Sequence, residues 1–494
     1  MKHAYLARLS LDKMDSMPLH RQLFLQLRDC ILQAILKPET RLPSSRLLAN
    51  DLGISRNTVL SAFDQLAAEG YITSRIGAGS YITDNLPEQA LRPEKDIRDT
   101  PLKSRNIRLS QQAQALYLAK QKPPYRQGPF SPGLPELDRF PFAIWARLLA
   151  KHWRQPKPEY LCENPVGGSI ALREALADYL GQTRAVKCKP EQVIILSGSQ
   201  QAIHLVIKAF AENNDPVLME DPGYPGTLTS ILAAGARPVP VPVDDEGFSL
   251  THAQNLAPDA RLACLSPSHQ YPLGPTMSLR RRLDILNWAK ANDAFVLEDD
   301  YDSEYRYTGH PISSLQGLDT DNRVLYVGSM SKVMFSGLRI GYLVVPEDLV
   351  SVFLALRRDI DGHSPAVAEA ALADFISDGH LSSHIRKMRL LYQSRQEMLI
   401  SLLRQKCRNY LTINQQDCGM HLVAYIDQRI ADTRVAGLCN REGVMLRALS
   451  SFYQGPSPRN ALIIGFAGTD VQKMPQLVNK LAAILKQESK KRTT

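Results

Sequence analysis

"GSMSKVMFSGLRIGY", Gly328–Tyr342, places Lys332 behind Ser329 and Ser331, with Arg339 seven residues further on and glycines around all four. The preceding "RVLYV" is a short apolar run of strand type. Lys332 therefore falls just past a strand end, where ligands bind in open α/β sheets. Two hydroxyls and a guanidinium suit a phosphate group, and a lysine amine can join an aldehyde covalently. A polar turn with a solvated lysine accounts for this stretch equally well when it is read alone.

The remainder of the C-terminal 370 residues weighs against that plainer reading. Strand-like runs alternate with helical ones in "QVIILSGSQQAIHLVIKAF", "PVLMEDPGYPGTLTSILAAGA", "ARLACLSPSHQYPLG" and "AFVLEDDYDSEYRY". This pattern predicts an α/β fold with the chemistry at the strand ends. Ser199 and Gln200 open a helix, and the backbone N–H groups there bind anions. Asp299 ends an apolar strand, where a buried carboxylate is costly unless it has a cationic partner. A protonated pyridine nitrogen is such a partner. Tyr301 lies two residues on, within reach of the ring's phenolic oxygen, and Tyr224 can stack on a flat ring. Each part has a plain alternative: a helix cap, a solvated strand end, a turn aromatic. Together and in this order they are the parts needed to hold pyridoxal 5'-phosphate.

The first 84 residues read differently. "PLHRQLFLQLRDCILQAI" puts Leu19, Leu23, Leu27, Ile31 and Ala34 at helical spacing behind Pro18. In "RLPSSRLLANDLGISRNTVLSAFDQLAAEGYITSRIGAGSYI", Ser45 is positioned to cap a helix through Leu52, and Gly53 suits a tight turn. Ser55 is positioned to cap a second helix to about Glu69. Val59, Phe63 and Leu66 of that helix face inward, and Arg56, Asn57, Thr58 and Ser61 face outward, as in the recognition helix of a helix-turn-helix. "YITSRIGAGSYI" predicts a two-stranded wing carrying Arg75.

The chain has 494 residues and a formal net charge of +9, unevenly placed. Residues 1–84 and 128–494 contribute +2 each, and residues 85–127 contribute +5 with nine Lys and Arg against four Asp and Glu. That middle segment, with Pro87, Pro93, Pro101, Pro123 and Pro124, reads as a basic linker. Its charge is either solvated or placed near DNA phosphates. The domain reading is 12–84, 85–127 and 128–490. Seven cysteines without C-x-x-C spacing exclude a disulfide framework and a zinc site as expectations. Nothing at the start has signal-peptide character and no run reaches ~20 apolar residues, so a cytoplasmic, non-membrane protein is expected.

The N-terminal segment resembles the winged-helix domain of the GntR superfamily on its "RLPSSR…LGISRNTV…AEGYITSRIGAGSY" pattern. The resemblance implies binding to double-stranded DNA through Arg46, Arg56, Asn57 and Thr58. Ser44, Ser45, Arg75 and Gly77 would be further contacts, mainly to phosphate. One departure is Glu39, where a glycine is common. From about Gly128 onward the chain resembles fold-type I aminotransferases, and the fusion of the two resembles the MocR family of transcriptional regulators. This implies Lys332 as the residue carrying pyridoxal 5'-phosphate as a Schiff base, Asp299 as the pyridinium partner and Tyr301 near the ring oxygen. Tyr224 would be the stacking ring, with Ser199, Gln200, Ser329, Ser331 and Arg339 around the phosphate. It also implies a homodimer with the DNA-binding domain swapped over the partner.

Two departures bear on activity. Tyr271 stands where aminotransferases have the asparagine of "N-P-x-G". No arginine sits in an "R-x-S-F" setting; of Arg447 and Arg459, Arg447 is the candidate for a carboxylate, with an ordinary interdomain arginine as the alternative. The expected function is a DNA-binding regulator that senses a small amine, an amino acid or the cofactor itself. A working aminotransferase with an appended DNA-binding domain is the runner-up, and a scaffold that has lost its cofactor comes third.

Overall fold

A computed structural model describes residues 9–75, 79–84, 108–119, 127–162, 164–309, 312–413 and 415–490. Two compact units divide at residues 107 and 108. The smaller holds α1 (Leu19–Leu32), α2 (Ser45–Leu52), α3 (Arg56–Ala68), β1 (Ile72–Arg75) and β2 (Gly79–Ile82), the last two paired antiparallel. Leu23, Leu27, Ile31, Val59, Phe63 and Leu66 are all buried in one cluster. Each such side chain contributes about 1.5–3 kcal/mol on burial, against about 1 kcal/mol for a cap. Packing therefore holds these helices, and the caps set where they begin.

Two local expectations are corrected. Ser44, not Ser45, caps α2, its hydroxyl accepting from the Leu47 N–H. Ala34 lies beyond α1 at a positive φ of 57° and is exposed, because the chain turns after Leu32. Ser55 caps α3, accepting from the Thr58 N–H, and Gly53 takes the left-handed turn. Gly77 lies outside the described residues, as does most of the segment 85–127. Within that segment α4 (Gln111–Ala119) forms a helix that opens on Ser110 and lies against the helix Pro225–Ala233. The larger unit thus begins at Arg108, twenty residues before the boundary expected at 128.

That unit is built on an eight-stranded sheet. Its strands are β3 (Val193–Leu196), β4 (Pro216–Asp221), β5 (Arg237–Asp244), β6 (Gly247–Phe248), β7 (Leu262–Leu265), β8 (Phe295–Asp300), β9 (Val324–Ser329) and β10 (Gly341–Val344). The order is β3-β10-β9-β8-β7-β4-β5-β6, with β5, β4, β7, β8 and β9 parallel and β10 antiparallel to both neighbours. β3, β7 and β9 are buried throughout, because helices cover both faces. The antiparallel β10 starts where its neighbours end: Gly341 pairs with Ser329 and Leu196. This register gathers the chain ends that carry Ser199, Ser329 and Arg339. A second sheet, β11 (Leu411–Ile413), β12 (His421–Ile426), β14 (Ala461–Gly465) and β13 (Arg447–Ala448) in that order, is antiparallel. Among the described residues no helix is long and apolar enough to cross a membrane.

Candidate functional site

The C-terminal ends of the parallel strands open into a cleft of about 340 Å³. Ser199, Gln200, Tyr224, Tyr271, Asp299, Tyr301, Ser329, Ser331, Lys332, Arg339 and Arg447 all line it. Every cofactor and effector residue expected from the sequence is therefore brought to one place. Arg459 is not among the lining residues and lies over the Tyr425 ring instead.

One corner is made for an oxyanion. The helix Ser199–Phe210 starts there after Gly198, whose φ of 131° places its peptide at the mouth of the helix without a side-chain cap. The first N–H groups of a helix have no intrahelical partner and carry partial positive charge. The Arg339 guanidinium lies about a van der Waals contact from the space beside Gly198. Arg339 is itself left-handed at φ 56°, a conformation that is costly for a non-glycine residue and concentrates at functional sites. Ser329 Oγ accepts from the Ser331 N–H, fixing the turn into the short helix Met330–Val333. The Gln200 side chain is committed elsewhere, donating to Gly226 O and Ser230 Oγ, so its contribution to the corner is its backbone N–H.

The same cleft also holds a buried carboxylate. Asp299 Oδ1 is sealed from water and accepts no hydrogen bond among the described residues. Burial, and then the neighbouring Asp300 charge, push its carboxyl up to about 7. Lys332 lines the same cleft, and its Nζ donates to the Gly133 carbonyl at 3.0 Å. Burial pulls the Lys332 amine below its ordinary 10.5, which raises the fraction present as a neutral nucleophile. Gly133 has a φ of 70°, and a Cβ there would stand 2.8 Å from Lys332 Nζ, so the lysine's resting place requires a glycine.

Three residues that the sequence reading passed over, His269, Asp302 and His421, complete the floor. His269 Nδ1 lies 2.8 Å from both Asp302 Oδ1 and Tyr301 Oη; His269 and Asp302 are buried and Tyr301 partly so. An ionised Asp302 only accepts, so Nδ1 carries the proton. The Tyr301 oxygen then accepts from the same N–H, which leaves its own O–H available to donate. His421, at the start of β12, stacks at a tilt on His269 and accepts no charge readily, because burial and then His269 push it down to about 4. Tyr271 meets Tyr224, Tyr301, His421 and Phe452 edge-on, with centroids 5.5–6.3 Å apart. It fills with aromatic surface the position where aminotransferases carry an amide.

An unpaired buried acid, a desolvated lysine and an anion corner in one cleft fit pyridoxal 5'-phosphate. When bound, the cofactor supplies an aldehyde that condenses with primary amines.

In the smaller unit Arg46, Arg56, Asn57 and Ser61 are exposed, with Thr58 partly so. Arg56 Nε donates to Ser45 Oγ at 3.4 Å, which ties the start of α3 to that of α2. Arg75 is engaged within the unit: it makes a bidentate pair with Glu39 at 2.7 and 2.9 Å and lies over the Tyr81 ring. Glu39 holds this position at a left-handed φ of 59°, so the departure from glycine has a structural consequence that the sequence did not disclose.

The "Bacterial regulatory proteins, gntR family" description matches residues 19–82, and "Aminotransferase class I and II" matches residues 160–481. The probable rhizopine catabolism regulatory protein MocR of Rhizobium meliloti is 40% identical over 487 residues, 97% of each chain. The pyridoxine biosynthesis transcriptional regulator PdxR of Corynebacterium glutamicum is 32% identical over 91% of this chain and 92% of its own. In structure, an archaeal alanine:glyoxylate aminotransferase matches with a TM-score of 0.69 at 26% identity, covering 77% of this chain and 96% of its own. With a gntR-type DNA-binding unit joined to a pyridoxal-phosphate-type aminotransferase unit, and a relative alike from end to end, the chain belongs to the MocR family of transcriptional regulators.

Proposed function

We propose that the protein binds DNA through its winged helix and holds pyridoxal 5'-phosphate in the aminotransferase-type cleft to sense a small amine or amino acid. The observation that carries this reading is the convergence of Lys332, the unpaired Asp299 and the Arg339 corner in one cleft. Asp299 holds the ring end, the Ser199–Arg339 corner holds the phosphate, and Tyr301 directs a proton at the ring oxygen. Lys332 would hold the cofactor's aldehyde, a group that can condense with an incoming amine instead, and Arg447 in the same cleft would offer a partner for a carboxylate. Tyr271 replaces an amide donor with a ring, which favours binding over turnover. Sensing requires that the effector bind one arrangement of the protein better than another. The helix α4 offers a route outward, since it lies against the helix whose first turn follows Tyr224. The active molecule is a homodimer with swapped DNA-binding units, and it acts in the cytoplasm.

The test is a panel of amines and amino acids, read by cofactor absorbance, keto-acid formation and operator affinity on one preparation. The reading requires compounds that shift absorbance and operator affinity together with little keto-acid. Rapid multiple turnover without any change in DNA affinity makes the protein an aminotransferase with a DNA tether; the intact Lys332 and the cleft position of Arg447 are what favour that second reading.

Two substitutions test the DNA surface. Arg56→Ala weakens operator binding and relaxes base preference by about 1–3 kcal/mol. Measured on operator and random duplexes, an equal loss on both rules out base reading by this residue. Glu39→Gly removes a carboxylate from Arg75 and relieves a left-handed side chain. Affinity for any duplex rises, and the log–log salt dependence steepens by about one ion as Arg75 engages a phosphate. An unchanged salt slope leaves Arg75 structural only.

A further inference from the structure

A second cleft, of about 310 Å³, shares no lining residue with the first. The two have a wall in common. Along the segment after β8, Asp299, Tyr301 and Asp302 line the cofactor cleft, whereas Ser303, Glu304 and Arg306 line the other. Its outer side is formed by the helices Ile170–Arg184 and His380–Cys407.

The cleft holds more positive charge than the protein itself neutralises. Arg184 is spoken for, paired with Asp300 at 2.8 Å and donating to Ser268 Oγ at 2.6 Å. Arg306 donates to the Thr276 hydroxyl and Arg389 to the Glu304 carbonyl, neither of them an anion. Arg386 stands one turn from Arg389 on the same helix face. Among the described residues none of Arg306, Arg386 and Arg389 forms an ion pair. Ser303, which also lines the cleft, has its Oγ sealed from water and without a hydrogen-bond partner among the described residues. Such a group costs free energy unless something satisfies it. The one acid in the wall, Glu304, is pushed up to about 7 by burial and then by Asp300, so it opposes an incoming anion weakly at neutral pH.

Guanidinium groups suit carboxylates and phosphates by geometry as well as charge, and ligand sites begin at roughly 300 Å³. We propose that this cleft is a second ligand site, which takes a small molecule bearing a carboxylate or phosphate group on Arg306, Arg386 and Arg389, with Ser303 as an added donor. Arg184 connects the site to the cofactor floor, since its partners Asp300 and Ser268 adjoin Asp299 and His269. By linkage, an anion bound here and an effector bound at Lys332 alter each other's affinity equally.

The experiment is calorimetry on the full-length, cofactor-loaded protein with two probes, succinate and inorganic phosphate. At least one binds saturably with one site per chain, and the tighter of the two identifies the group recognised. Arg386→Gln and Arg306→Gln each weaken that binding roughly tenfold or more, the worth of a charge-assisted hydrogen bond. Arg386 is exposed on its helix, so its variant keeps the fold, which circular dichroism checks. Arg447→Gln, a change in the other cleft, leaves binding as it was. The proposal is overturned if neither probe binds at millimolar concentration, or if Arg447→Gln abolishes binding while Arg386→Gln and Arg306→Gln retain it.

Discussion

Lys332→Ala yields a folded protein that holds pyridoxal 5'-phosphate without a covalent bond and no longer changes its DNA affinity when amines are added. The side chain removed is desolvated, and burial already disfavours its charge. Among the described residues its one side-chain hydrogen bond is to a backbone carbonyl, that of Gly133. Loss of the amine therefore relieves a buried cation and leaves the surrounding packing of Met330 and Val333 in place. The anion corner and Asp299 are untouched, so cofactor still enters, more weakly. Borohydride treatment separates the cases: wild-type protein retains cofactor through denaturation, and the variant releases it. The amine response is the second readout. Without Lys332 the cleft has no amine for an effector to displace, so the exchange that distinguishes two arrangements of the protein is gone. Cofactor fixed to the variant by borohydride rules out Lys332 as the attachment point. An amine response that survives in the variant, with cofactor released, leaves the attachment intact and rules out displacement as the signal.

The site was legible because its parts are local signals at strand ends. Ser199, Asp299 and Lys332 each follow an apolar run, and a parallel sheet brings such ends together whatever the strand order. The order itself was not legible. β10 enters between β3 and β9 in the opposite direction, a non-local pairing that no window of sequence reports, and it is this strand that delivers Arg339. Gly133, His269, Asp302 and His421 were missed for the same reason. Gly133 acts on a lysine 199 residues away, and His421 reaches His269 from another sheet. Asp302 sat in a quoted motif, but its role depends on a histidine 33 residues earlier. "QQAQALYLA" contains only helix-tolerant residues, yet it was absorbed into a linker defined by charge and proline; its partner helix lies more than a hundred residues on. Arg75 has an intra-unit partner that the sequence did not disclose. Its spacing suited a wing, and its pair with Glu39 depends on a contact across 36 residues.

Asp299→Asn shifts stability in opposite directions with and without cofactor. In the cofactor-free protein the native carboxyl titrates at about 7, against 3.8 ordinarily, because burial and then Asp300 disfavour its charge. A carboxyl raised on folding keeps its proton in the native state while the unfolded chain has lost it. Stability then falls as pH rises from about 3.8 towards 7, and the full penalty is present above 7. Asparagine cannot ionise and has no such penalty. The cofactor-free variant is therefore the more stable protein, by a margin that widens from pH 5 to pH 7 and then levels. Glu220 and Glu298 are also raised by burial, but they are present in both proteins. The part of Glu220's shift that comes from Asp299 adds to the difference with the same sign. With pyridoxal 5'-phosphate bound, a protonated ring nitrogen would supply the partner that Asp299 Oδ1 lacks among the described residues. Losing one member of a buried charge pair costs about 3 kcal/mol or more, so the variant binds cofactor at least ~100-fold more weakly and its melting temperature rises little on loading. Thermal melts from pH 5 to 8, with and without cofactor, read both arms. A variant that melts below wild type without cofactor at pH 8 means that Asp299 has a partner inside the protein. Cofactor affinity equal to wild type means that it does not face the ring nitrogen.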